Sequence, residues 1–235
     1  MFFFDPIYLL FILPGLALSM WASYRTKSAF TKYSKIRASS GMTGAQAARR
    51  MLDIAGLPEV KILRANGFLS DHYNPMNRTL NLSAEVYDLP SLASIGVACH
   101  EAGHAIQHAQ HYKPLWLRSV LVPTANIGSS MGYLVMMAGL FLSGPEGPGF
   151  IFMAGVVLFS AVILFQLVTL PVEFDATARA KERVVADGII TSSERVGVDR
   201  VLNAAALTYI AAAISSLLTL LYFLMRAGLL GGRRD

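Results

Sequence analysis

The chain has 235 residues, of which 54% are hydrophobic and 15% charged, with a formal net charge of +5. That length admits one or two soluble domains, but so apolar a composition excludes an ordinary water-facing surface and makes a membrane protein the first expectation. The single cysteine, Cys99, excludes an intramolecular disulfide and a cysteine-rich zinc site, so a bound metal must rest on His and carboxylate ligands. The basic surplus lies beside apolar runs, where it acts as a topology signal, and no nucleic-acid partner is expected.

In chain order, the first apolar run covers 4–23 and contains Pro14 and Gly15. It reads as an uncleaved transmembrane anchor over 1–24, since Ala17-Leu18-Ser19 could pass as a cleavage site but no basic segment precedes it. Arg25, Lys27, Lys32, Lys35 and Arg37 follow and should stay cytoplasmic. The polar region 25–116 has its own elements. Thr43 and Gln46 form a capping box for a helix that ends at Gly56 and Pro58. Val60 to Leu63 and Leu80 to Ser83 alternate as two short strands, with Gly67 and Asn74-Pro75 marking loops between them. Pro90 and Ser91 open a further helix that reaches to about His111 and is too polar on one face to be lipid-exposed.

Two further apolar runs, 117–142 and 149–172, form a transmembrane hairpin over 117–172 whose turn carries no Lys or Arg. Gly128 and Gly132 have the spacing that lets membrane helices approach closely. A polar segment, 173–203, precedes the last span at 204–225 within a C-terminal segment 204–235. Twelve basic residues fall between 25 and 118, five between 179 and 200, and three at the C-terminal end. This bias places 24–116 and 173–203 on the cytoplasmic side and both termini outside, against the preference of Arg233 and Arg234 for the inside. Arg179, Lys181 and Arg183 read as interfacial anchors. Asn77-Arg78-Thr79 and Asn81-Leu82-Ser83 match a glycosylation pattern that a cytoplasmic segment would never present to the machinery.

The chemistry concentrates in His100-Glu101-Ala102-Gly103-His104. On a helix, residues four apart share a face, so His100 and His104 can grip one zinc ion while Glu101 acts as general base toward a water molecule. The bland alternative is a solvated histidine face extended by His108 and His111. A catalytic zinc takes three protein ligands. A third histidine of the metzincin kind is excluded because Gln107 and Gln110 occupy the required places. Glu146 lies in the hairpin turn, a bilayer thickness of about 30 Å away. Glu173, directly after a run that must return to the starting face of the membrane, is the permitted ligand. His108 continues the histidine stripe but cannot join the same tetrahedral ion from one straight helix, so it reads as a surface or supporting group. Asp175 is assigned a supporting role. For Asp71, His72 and Tyr73 two readings stand side by side: donors to a developing oxyanion, or a turn in which Asp71 caps the loop and Tyr73 packs. Leu80 to Ser83 is likewise either an edge strand for an extended substrate or an internal strand.

The chain resembles the YugP-like neutral zinc metallopeptidases, a bacterial membrane family, over essentially its whole length. The likeness rests on Ser70-Asp71-His72-Tyr73-Asn74-Pro75, Leu80-Asn81-Leu82-Ser83, Cys99 to Gln107 and Pro171-Val172-Glu173-Phe174-Asp175-Ala176. More remotely it is similar to the HtpX and CAAX-prenyl-protease type of membrane gluzincin, in which a downstream glutamate completes the zinc site. Those proteins usually carry an aspartate four residues after that glutamate, where this chain has Thr177. The resemblance implies proteolysis with Glu173 as ligand and makes Thr177 a candidate supporting residue.

The expected fold is mainly α: a four-helix integral membrane protein with a small α+β zincin-like cytoplasmic catalytic region. The expected activity is that of a zinc endopeptidase in the cell inner (plasma) membrane, with one Zn2+ per chain, a peptide or membrane-protein substrate and the lipid bilayer as partners. Two alternatives are a site-2-type intramembrane protease using Asp187 of Asp187-Gly188 as third ligand, and a non-catalytic zinc-binding membrane adaptor.

Overall fold

The computed structural model describes residues 5–67, 70–144 and 147–230; Glu146, Arg233 and Arg234 lie outside the described residues. Helices α1 (Pro6–Tyr33) and α2 (Gly44–Ile54) come first, followed by strands β1 (Lys61–Ala65), β2 (His72–Asn74) and β3 (Thr79–Ser83). Helices α3 (Ala84–Asp88), α4 (Leu92–Ala109) and α5 (Lys113–Ile127) come next. A π-helical turn, Gly128–Gly132, joins α5 to α6 (Tyr133–Phe141), before α7 (Phe150–Ala186) and α8 (Arg195–Arg226). The chain is therefore mainly α with one small sheet. Four of its helical stretches, α1, α5 through α6, α7 and α8, are long and apolar enough to cross a membrane.

The residues divide into two compact units. One comprises 1–21, 117–170 and 209–235; the other comprises 22–116 and 171–208. In the first, Met136, Phe152, Phe159, Val162, Tyr222 and Phe223 form the buried cluster. The stretch through the π turn packs on α7 at glycines. A Cβ on Gly128 would lie 2.4 Å from the Leu158 carbonyl oxygen, and one on Gly132 would lie 3.0 Å from the Phe159 nitrogen. The sequence spacing of these two residues thus marks a real close approach. Ser215 on α8 donates to the Gly15 carbonyl at 3.0 Å, fastening α1 to α8. Leu10, Val157 and Phe150 stand outward, as on a surface solvated by hydrocarbon.

The second unit is built on α2, α4 and the sheet. Gln46 N–H donates to Thr43 Oγ1 and Thr43 N–H to Gln46 Oε1, so both arms of the expected capping box are present. This helix buries Ala47, Ala48, Met51 and Leu52. The sheet order is β1-β3-β2, with β1 parallel and β2 antiparallel to β3. Leu80 and Leu82 of β3 are fully buried. Of the two readings of Leu80 to Ser83, the internal strand is the one observed: it is the central strand, paired on both sides, and offers no free edge to an extended substrate. One sequence expectation needs correction here. Residues 72–74, read as part of a turn, form the edge strand β2. Three residues are too few to show an alternating pattern, and the Asn74-Pro75 turn signal masks them.

Helix α4 begins at its N-cap Ser91, whose hydroxyl accepts from Ser94 N–H at 3.1 Å. It is the spine of the second unit, buried along most of its length, with Cys99 at 0% exposure. Burial pushes the Cys99 thiol well above its ordinary pKa, and Asp187 adds to the shift. Helix α7 does not stop where its apolar run ends near 172. It continues through Pro171 to Ala186, so Glu173, Asp175 and Thr177 are all helical residues.

A candidate metal centre between two helices

Every group described here belongs to the second unit. Helix α4 brings His100 and His104 to one face, their rings edge to face with centroids 4.9 Å apart. Helix α7 supplies Glu173, whose Oε2 lies 3.1 Å from His100 Nε2 and 3.5 Å from His104 Nε2. A tetrahedral zinc site with bonds of about 2.0–2.1 Å has ligand atoms about 3.3–3.4 Å apart, and the two separations bracket that value. Among the described residues these three are the only His, Cys, Asp or Glu group with the spacing for a metal ion. The set of two imidazoles and one carboxylate is also the right chemistry for zinc.

The electrostatics suit a cation. Burial works to raise the Glu173 carboxyl, but hydrogen bonds from His100 and His104 outweigh it and hold the group far below the usual carboxylate range. Burial opposes protonation of His104, yet Glu173 and Glu101 together hold that group above its ordinary value. Glu101 is 9% exposed, and one of its oxygens, Oε2, accepts the Tyr73 backbone N–H at 3.1 Å. The outer edge of β2 therefore fixes the carboxylate next to the cluster of His100, His104 and Glu173.

The two helices can meet this closely because of Gly103. A Cβ there would sit 2.9 Å from the Ala176 carbonyl oxygen on α7. Gly103→Ala is expected to force α7 outward, lowering stability by about 1–3 kcal/mol, as overpacking does. That would reverse the gain of about 1 kcal/mol from replacing a helical glycine by alanine. Zinc affinity should fall with it. A variant that melts higher and binds zinc as tightly as wild type would refute the packing role.

The remaining candidate residues are placed as follows. Thr177 Oγ1 is 3.3 Å from His100 Nδ1, directly behind the first ligand. Asp175 Oδ2 accepts from Gln107 Nε2 at 2.7 Å and from Arg179 Nε at 2.5 Å, so Arg179 is engaged in this network. Tyr73 O–H and His108 Nδ1 are hydrogen-bonded at 2.8 Å, and burial, with Arg78 and His111, lowers the His108 pKa. Asp71 accepts from Ser83 N–H at 2.7 Å and from the Ser83 hydroxyl, closing the turn against β3. His72 is exposed and its Nδ1 lies 2.9 Å from the Ser70 carbonyl oxygen. Asp187, the alternative third ligand, is set apart from the cluster. It lies just past the C-terminal end of α7, fourteen residues beyond Glu173, which at about 1.5 Å per residue is about 21 Å along the helix axis. Its near neighbour is Arg183, at 4.0 Å. From the sequence alone Gln107 serves only to exclude a metzincin. Its place three residues after His104, on the same helical face, is the signal that it stands beside that histidine.

A chain with membrane-spanning helices, a largely buried cluster of His100, His104 and Glu173 and an adjoining glutamate has the form of a zinc metallopeptidase. The chain belongs to the family described as "Putative neutral zinc metallopeptidase", whose sequence profile matches residues 8–228. It is 47% identical over 219 residues to "Putative membrane protease YugP" of Bacillus subtilis (strain 168), covering 93% of this chain and 96% of that protein. No solved structure matches the chain significantly.

Proposed function

We propose that this protein is a zinc-dependent endopeptidase that hydrolyses peptide bonds at the cytoplasmic face of the cell membrane, acting on membrane-protein loops or tails. The observation that carries this reading is the convergence of His100 Nε2, His104 Nε2 and Glu173 Oε2 beside the Glu101 carboxylate. His100, His104 and Glu173 would hold zinc, whose Lewis acidity polarises a peptide carbonyl and acidifies water. Glu101 takes a proton from the attacking water and delivers it to the leaving amine. Tyr73 N–H keeps one Glu101 oxygen in place, leaving the other for the proton. Burial of His104 and Glu173 limits competing water and strengthens the charge interactions on which the step depends.

The basic-residue count supports a cytoplasmic location, since the segments that carry the cluster hold most of the Lys and Arg. The relative's name supports protease activity in a membrane. The intact Glu101 beside an intact ligand set speaks against a purely structural zinc in an adaptor. In detergent, the purified protein is expected to contain about one zinc and to cleave an unstructured test protein. A strong chelator should abolish cleavage, and one equivalent of Zn2+ should restore it. Undiminished cleavage by the metal-free protein would end this reading.

A further inference from the structure

Gln107 is fully buried, yet it carries four hydrogen-bonding valences into a region closed to bulk solvent. Its Nε2 donates to the Val172 carbonyl at 2.8 Å and to Asp175 Oδ2 at 2.7 Å, which uses both amino hydrogens. Its Oε1 lies 2.9 Å from His104 Nδ1. The two partners on α7 are a carbonyl and a carboxylate, both acceptors. Turning the amide over would set its oxygen against them, so only one orientation is allowed. With Oε1 fixed toward the imidazole, Nδ1 must carry a hydrogen. The neutral ring then has its lone pair on Nε2, the atom 3.5 Å from Glu173 Oε2.

We infer that Gln107 is a positioning residue for the metal centre: one amide selects the ligating tautomer of His104 and ties it to the α7 backbone immediately before Glu173. This rests on the zinc reading above and deepens it. The device differs from the usual carboxylate behind a metal-bound histidine. The group touching His104 Nδ1 is neutral, and the carboxylate behind that group, Asp175, reaches Nδ1 only through the amide and is itself engaged by Arg179. The amide must act in both directions at once. A residue that only accepts loses the link to α7, and one that does neither leaves the His104 tautomer unselected.

Three full-length variants test this by chelator competition for Zn2+ and by the visible absorption of Co2+ bound in its place. Gln107→Leu keeps the bulk but removes both functions. Gln107→Glu keeps an acceptor toward His104 but sets a carboxylate against Asp175 and the Val172 carbonyl. Both are expected to weaken Zn2+ binding about 10- to 100-fold and to alter the Co2+ bands. In Gln107→Glu/Asp175→Asn, the new amide can donate to the new carboxylate, and part of the lost affinity should return. A packing role alone predicts no loss in the nearly isosteric Gln107→Glu and no recovery in the double variant. Should Gln107→Leu fail to fold, the other two decide. The inference is overturned if Gln107→Glu binds Zn2+ within about threefold of wild type, well short of the usual effect of an outer partner. It is equally overturned if the double variant binds no better than Gln107→Glu. Failure of the wild type itself to hold zinc would instead strike the functional reading.

Discussion

Glu101→Gln is expected to keep its zinc and lose cleavage by about 10²- to 10⁴-fold, the usual contribution of a positioned proton carrier. Glutamine has nearly the same volume, so the 9% exposed site need not repack. It can still accept the Tyr73 N–H through its amide oxygen. It cannot take a proton near neutral pH. The two readouts therefore separate: metal content by atomic absorption remains at the wild-type level, while turnover of an unfolded substrate collapses. Retained turnover would show that Glu101 is not the base. Lost metal would show that it is needed to hold the ion rather than to move a proton.

Glu173→Ala should have the converse signature. It removes the anionic member of the proposed ligand set, whose Oε2 stands 3.1 Å and 3.5 Å from the two imidazoles, and leaves the His104 ring, only 6% exposed, facing a cavity. Loss of a direct ligand should exceed the 10- to 100-fold effect typical of outer partners, so zinc should be lost at chelator concentrations that wild type withstands. Asp187→Asn is the matched control. It alters a carboxylate just past the end of α7, about 21 Å further along the helix axis, and should leave zinc affinity unchanged. If zinc survives Glu173→Ala and disappears with Asp187→Asn, the ligand assignment falls and the site-2-type arrangement returns.

What could be read from the sequence divides by the range of the interaction. His100 and His104 are visible because four residues on a helix fix their relation locally. Glu173 is accessible from the topology, since a hairpin across a bilayer must come back to its starting face and this glutamate is the first to follow the returning run. The cap at Thr43 and the N-cap at Ser91 are equally local. The contacts that tune the site are not. That Thr177 stands behind His100 depends on α7 remaining helical past its apolar run, which a hydropathy reading ends near 172. That Gln107 bridges to Val172 and Asp175 depends on the crossing at Gly103, a tertiary contact without a sequence period. Strand β2 escaped because three residues show no alternation, and with it went the Tyr73 N–H that holds Glu101.

The burial of Cys99 has a practical consequence. The chain's one native thiol is sealed inside the second unit and is held protonated by its surroundings, so it should not react with membrane-impermeant maleimides in the folded protein. A single cysteine introduced at Ser143, in the turn without basic residues, would then be the sole labelling site. Its modification in intact cells, set against a cysteine at exposed Lys35, would report directly which compartment each segment faces. The wild-type chain is thus its own unlabelled background for mapping sidedness, with no prior replacement beside the metal ligands.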